Sequence, residues 1–322
     1  MIEKIIEKAK GKGKKIVLPE YMDERVLKAA IIASDNNIAD IIILGNKDEI
    51  TKNNNISLNN LTIIDPLKSP LTQTFIDELA LLRNIRKEDA KNLILNDYMY
   101  FACMMVKDNL ADGVVSGACH SSKDTLRPAL QIIKTKEDSK LVSAFFLMDV
   151  LNKNYGLDGT FIFADCGLNQ NPNEIELANI AIDSAKSFKK LLNSEPVVAM
   201  LSYSTYGSAS SSDVKKVVEA TKIARKNSLF IIDGELQLDA AIDREIAKIK
   251  APNSFVAGRA NVLVFPDLDS GNIGYKLVER LGNAKAYGPI TQGINAPIND
   301  LSRGCSVDDI VGVIAITVLQ CD

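Results

Sequence analysis

The sequence predicts an α/β fold in which parallel or mixed sheets are covered by helices, and three observations carry that prediction. Short β-branched runs alternate with helix-period segments along most of the chain. Many of those runs are apolar on both faces, as a strand covered by helices on both sides must be. The length, 322 residues, is long for one core, so two closely associated domains are expected.

Met1–Lys8 reads as an amphipathic helix with acids mixed in, and the Lys- and Gly-rich stretch Lys8–Lys15 as a solvated turn leading to a strand at Lys15–Leu18. A helix over Glu24–Ser34 follows, then strands at Ile41–Leu44 and Leu61–Ile64, helices over Pro70–Leu82 and Glu88–Leu95, and strands at Val114–Ser116 and Leu141–Leu147. Beyond these come strands at Thr160–Phe163, Val197–Leu201, Leu229–Ile232 and Val262–Phe265. They alternate with helices over Glu174–Leu191, Asp213–Arg225 and Gly271–Leu281. The Asn-, Gly- and Lys-rich segment Asp149–Asp158 is the predicted domain boundary. The longest near-apolar run, Ile310 to Leu319, is about half the roughly 20 residues a membrane span needs, so it is assigned to a core.

Composition narrows the function. A net charge of −3 with both signs interspersed provides no field for holding nucleic acid. No export signal is read at the start, and five scattered cysteines (Cys103, Cys119, Cys166, Cys305, Cys321) show no C-x-x-C spacing, so neither a disulfide framework nor a zinc site is expected. A cytoplasmic protein fits these features. There is no G-x-x-x-x-G-K-[S/T] loop, no H-E-x-x-H, and no G-x-G-x-x-G after the first strand. The one histidine, His120, lies in a post-strand loop beside Ser121 and Ser122, too local for a serine–histidine–carboxylate triad. Asp233, Glu235, Asp239 and Asp243 are oxygen donors of the kind magnesium prefers, but Leu236-Gln237-Leu238 interrupts the row and no metal is expected there.

Polar or Gly-containing turns follow several strands: Val115–Ala118, Ala164–Gly167, Leu201–Gly207 and Ile232–Glu235. The carboxyl ends of strands line the ligand crevice of an open α/β sheet, so a site is sought there. Pro297–Val311 is the most informative stretch, because Ser302, Arg303 and Asp309 crowd the start of an apolar helix. Ser306 with Asp309 also forms a helix-capping pattern, so Asp309 has a structural and a catalytic reading, both open. Arg303 ahead of a helix N-terminus adds positive charge to positive charge and favours an anion, and a guanidinium matches phosphate with two parallel hydrogen bonds.

With these residues in view, the sequence resembles the phosphate acetyl/butyryl transferase family. The matching blocks are Asp112–Ala118, Thr125-Leu126-Arg127-Pro128, Phe163–Cys166, Asp233–Ala241, Ala260–Leu268, Gly271–Lys276 and Asn299–Val311, in order along essentially the whole chain. The resemblance implies two three-layer α/β/α domains with mixed, mostly parallel sheets, like the isocitrate and isopropylmalate dehydrogenases. It implies a last helix that returns to the amino-terminal domain, giving residues 1–148 plus 298–322 as one domain and 149–297 as the other, and a homodimer. It implies reversible acetyl transfer between acetyl phosphate and coenzyme A, releasing or consuming inorganic phosphate. Coenzyme A is then a substrate, with no bound cofactor.

Residue by residue, the resemblance places Ser302, Arg303 and Asp309 on active-site positions. It ties Arg127 to substrate phosphate or coenzyme A, with a further arginine at Arg83 or nearby Arg86. In the mechanism these residues allow, Asp309 takes the thiol proton and Ser302 with Arg303 stabilises the oxyanion. Cys305, between Arg303 and a helix start, invites a covalent acyl-enzyme, whereas direct transfer is the simpler route since the acceptor is itself a thiol. The rival readings are phosphate butyryl transfer, a non-catalytic acyl-coenzyme A sensor, and a metal-dependent decarboxylating dehydrogenase on the same fold.

Overall fold

A computed structural model describes residues 1–53, 58 and 60–321. The chain forms two compact units. One comprises Ile2–Thr135 and Ile294–Asp322, and the other Lys136–Gly293 together with Met1. In chain order the strands are β1 (Lys15–Leu18), β2 (Asp40–Leu44), β3 (Thr62–Ile64), β4 (Gly113–Ser116), β5 (Ser143–Asp149), β6 (Thr160–Ala164), β7 (Val197–Leu201), β8 (Ile231–Leu236), β9 (Val262–Val264), β10 (Lys285–Gln292) and β11 (Ile298–Asp300).

The first unit holds a five-stranded sheet, β11-β4-β1-β2-β3, in which every pairing is parallel. The apolar runs account for this: Ile16, Val17 and Leu18 of β1 and Ile41 to Leu44 of β2 are all buried, because helices cover both faces. Helix Val307–Gln320 packs on β4 and against helices Glu24–Asp35 and Ile2–Ala9, while helix Tyr98–Lys107 also packs on β4 and against Ser122–Ile132. Ile310 to Leu319 of helix Val307–Gln320 is buried without a break. Each large apolar side chain buried there contributes about 1.5–3 kcal/mol. The helix that starts at the Ser302–Ser306 turn is therefore a fixed strut.

The second unit holds a six-stranded sheet, β10-β5-β6-β9-β7-β8. Its β10-β5-β6 side is antiparallel and its β6-β9-β7-β8 side parallel. The predicted mixed, mostly parallel architecture is thus present.

Several elements differ from the sequence reading. Asp149–Asp158 is not a domain boundary: β5 and β6 pair antiparallel with Asp149 opposite Thr160, so the segment is a hairpin connection within one sheet. Its polar composition suits any solvated connection. The chain passes between units at Thr135–Lys136 and Gly293–Ile294, displacing the 148/149 and 297/298 limits. Strand β10 escaped detection because Pro289 cannot donate to the ladder and the register shifts between Tyr287 and Ile290. Strand β11 is the short polar run Ile298-Asn299-Asp300, and helix Tyr98–Lys107 is buried nearly all round, so neither shows a period.

Candidate active site

Strands β1, β4 and β11 lie side by side and end at the same edge, with Ser116 in register with Asp300. Chain order reverses at β1, whose neighbours are β2 on one side and β4 on the other, the position at which open α/β sheets bind ligands. Three loops emerge there: Pro19–Asp23 after β1, Gly117–Ser121 after β4 and Leu301–Ser306 after β11. The last two touch through backbone. A Cβ on Gly117, whose φ is +110°, would lie 2.1 Å from Asp300 Oδ1 and 2.6 Å from Leu301 N, so only glycine allows this approach.

A side chain of the β1 loop, Glu20, and one from the first turn of the helix it leads into, Arg25, knit the loops together. The buried Glu20 carboxylate accepts the amides of Gly117 and Ala118, each at 2.9 Å, and of Cys119 at 3.1 Å. Arg25 is held by Asp23 at 2.7 Å and donates to the carbonyls of Ala118 (2.8 Å), Arg303 (2.9 Å) and Cys305 (2.9 Å). One guanidinium thus bonds the backbones of both neighbouring loops. Neither residue was singled out from sequence, although the crevice rule applies to the loop after β1 as much as to the others.

Of the predicted residues, Ser302 and Arg303 lie on the turn after β11, and Asp309 in the first turn of the helix that follows it. Ser302 and Arg303 are exposed, and the Arg303 guanidinium makes no hydrogen bond or ion pair with any described residue. Asp309 closes a capping box: its Oδ2 accepts from the Ser306 amide and hydroxyl, both at 2.8 Å, while Ser306 Oγ accepts the Asp309 amide at 3.2 Å. The structural reading of Asp309 is therefore real. It occupies one carboxylate oxygen, and Oδ1 has no hydrogen-bond partner among the described residues.

Arg83 ends helix Leu71–Arg83, and the exposed Arg127 lies on helix Ser122–Ile132; the charge of each acts on Tyr100. Burial raises the Tyr100 hydroxyl pKa, and both arginines pull it back down. Arg86 is committed elsewhere, in a two-pronged pair with Asp89 at 2.8 Å. The charges of Arg127 and of His120, in the loop after β4, both act on the half-buried Asp97.

Asp300 forms the floor of the site. It is fully buried, neither carboxylate oxygen has a hydrogen-bond partner of ordinary geometry, and Ser116 Oγ and Thr125 Oγ1 are likewise unpaired. Burial pushes the Asp300 pKa from 3.8 to about 6; the Ser122 and Thr125 hydroxyls and the Leu301 amide partly oppose this, and the Glu20 charge adds to it. A carboxyl whose folded pKa is raised binds more protons folded than unfolded, so stability falls as pH rises from about 4 through 6. Asp300→Asn is expected to match the wild type in stability near pH 4 and to exceed it by on the order of 3 kcal/mol above pH 7, measured by denaturant unfolding across pH. A difference independent of pH would show that Asp300 is not the titrating group.

The other post-strand acids are each engaged by neighbours of their own. Asp233 takes Arg225, Tyr206 and Ser254; Glu235 takes Ser204 and the Gly207 amide; Asp239 pairs with Lys250; and Asp243 caps helix Arg244–Lys250. Asp165 is buried and accepts the amides of Gly167, Leu168 and Asn169. These acids organise their own loops.

Residues 1–318 match the family described as phosphate acetyl/butaryl transferase. A phosphate acetyltransferase of Thermoanaerobacterium thermosaccharolyticum is 56% identical over 326 residues, covering 99% of this chain and 99% of that protein. A phosphotransacetylase from Streptococcus pyogenes has the same fold with a TM-score of 0.91 at 46% identity, covering 99% of this chain and 97% of that one. A 4-hydroxythreonine-4-phosphate dehydrogenase from Klebsiella pneumoniae shares the fold alone, with a TM-score of 0.54 at 11% identity over 96% of this chain and all of that one, in keeping with the dehydrogenase-like architecture expected. With family blocks running from β4 to the last helix and relatives matched end to end, the chain belongs to the phosphate acetyl/butaryl transferase family.

Proposed function

We propose that this chain transfers an acetyl group reversibly between acetyl phosphate and coenzyme A, directly within a ternary complex. The observation that carries the reading is the Arg303 guanidinium, without a partner among the described residues, on the turn that holds the Ser302 hydroxyl and leads into the helix whose first turn carries Asp309. A phosphate would be held where cationic side chain and helix dipole act together. In the thioester-forming direction the thiol proton passes to Asp309 and the sulfur bonds to the carbonyl carbon. Ser302 and Arg303 stabilise the oxyanion, and the carbon–oxygen bond to phosphate then breaks. Phosphate departs on Arg303 or Arg127. Coenzyme A enters as a substrate, and the steps assigned here use only side chains of the chain.

The thiols support direct transfer. Burial pushes the Cys305 pKa up to about 11, although Arg25 opposes the shift, and the Cys103, Cys119 and Cys166 thiols are also raised by burial. None of these four is an activated nucleophile. Cys305→Ala is expected to keep kcat within about threefold of wild type, which the mild effect of truncating a residue that takes no part in the chemistry allows; an acyl group trapped on Cys305 would establish the covalent route instead.

Arg83 and Arg127 are assigned to the substrate's phosphates, with Arg83 preferred to the ion-paired Arg86. Arg127→Ala is expected to raise KM for coenzyme A about tenfold, the loss of one charge-assisted hydrogen bond, with kcat changed less. Arg86→Ala should leave both constants near wild type, and a reversed pattern would exchange the two assignments.

Thioester formation from acetyl phosphate and coenzyme A, followed in a coupled assay, tests the reading, and binding of coenzyme A without turnover would favour a sensor. Parallel runs with butyryl phosphate decide the acyl length, since one methylene is worth only about 1–3 kcal/mol. We place the enzyme in the cytoplasm as a homodimer. No helix among the described residues is long and apolar enough to cross a membrane. Ile273, Leu277 and Leu281 form an exposed apolar stripe on helix Leu268–Leu281, as a surface that meets a second copy would. Light scattering at twice the 35.1 kDa chain mass checks the dimer.

A further inference from the structure

We propose that Glu20, Cys119 and His120 form a site for one zinc-type divalent cation, and that its occupation restrains the turn carrying Ser302 and Arg303. The three ligand atoms already converge: His120 Nδ1 lies 2.7 Å from Glu20 Oε1, Cys119 Sγ lies 3.3 Å from that same oxygen, and Sγ and Nδ1 are 3.5 Å apart. Zinc bonds to oxygen, nitrogen and sulfur of about 2.0–2.3 Å in tetrahedral geometry set ligands roughly 3.2–3.7 Å apart. Only the Glu20–His120 edge needs to open, by about half an ångström on that geometry.

The ligands differ usefully in rigidity and access. Glu20 is 3% exposed and fixed by three backbone amides, so one ligand is preorganised. Cys119 and His120 are exposed, which gives the ion a way in and leaves a fourth position to water. A thiolate with an imidazole selects zinc-type cations over magnesium or calcium, whose preference is for oxygen alone. In the metal-free protein burial, the Glu20 charge and the Glu20 hydrogen bond push the Cys119 pKa to about 12, so the thiol is protonated. As the metal–sulfur bond forms, that proton passes to solvent.

The consequence for the active turn follows from Arg25. Its guanidinium holds the carbonyl of Ala118, the residue before Cys119, and the carbonyls of Arg303 and Cys305. A cation locking Cys119 and His120 onto Glu20 fixes one end of that three-way link and, through Arg25, restrains the turn that carries Ser302 and Arg303.

The test uses the full chain. Co2+ titration should give one equivalent with a thiolate-to-cobalt charge-transfer band in the near ultraviolet, and Zn2+ should displace it. Cys119→Ser should lose the band, and both it and His120→Ala should weaken Zn2+ binding at least about tenfold. Wild-type acyl transfer should be inhibited by Zn2+ and restored by chelator, while Cys119→Ser should resist the ion. Failure of Co2+ to bind, or an undiminished band in Cys119→Ser with ligation by another cysteine, overturns the site. Binding that leaves turnover unchanged overturns the restraint. The spectroscopic readouts need no catalysis, so their failure leaves the assignment of Ser302, Arg303 and Asp309 where it stood.

Discussion

Arg303→Ala is expected to lower kcat/KM for acyl transfer by about 10²–10³-fold, the range for removing one preorganised donor to a developing oxyanion. Stability should stay within about 0.5 kcal/mol, because the side chain is exposed and the guanidinium has no partner among the described residues. The backbone of the turn does not depend on that side chain either. Arg25 grips the Arg303 carbonyl, and that bond survives truncation. Arg303→Lys should recover only part of the loss, since an ammonium keeps the charge but not the planar fork that matches phosphate. Steady-state kinetics with both substrates varied, alongside denaturant unfolding, separates the effects. Wild-type kcat/KM in a folded Arg303→Ala variant would remove Arg303 from the chemistry and leave phosphate to Arg127 and Arg83.

The part of this molecule legible in its sequence is the part whose physics is local. Strands such as Ile41–Leu44 announce themselves because burial on both faces demands an unbroken apolar run, and helix Glu174–Leu192 carries its own capping box from Asn173 and Glu176. Ser302, Arg303 and Asp309 stood out because one short segment holds all three. Glu20 and Arg25 did not. Their partners at Gly117–Cys119 and Arg303–Cys305 are about a hundred and nearly three hundred residues away, and a side chain that bonds distant backbone leaves no periodic trace. Asp300 was likewise hidden, since only the pairing of β11 with β4 buries it beside Ser116. What decides the geometry of the site is thus the non-local bonding between loops.

Asp309→Asn separates the two readings of its residue, because the substitution keeps the cap while removing the base. An amide oxygen in place of Oδ2 can still accept from the Ser306 amide, now at 2.8 Å, and Ser306 Oγ still accepts the Asp309 backbone N–H. Stability should therefore fall by no more than about 1 kcal/mol, while kcat falls by about 10²–10⁴-fold, the usual worth of a positioned general base. Affinity for coenzyme A should change little, since the lost function is proton transfer and not binding. Ser306→Ala is the complement: it removes the side-chain half of the box, costing about 1 kcal/mol, yet leaves the Asp309 carboxylate and most of the turnover. A base and a cap thus predict opposite orderings of the two variants. If Asp309→Asn loses stability like Ser306→Ala and keeps its activity, the carboxylate only ties off its helix, and another group takes the thiol proton.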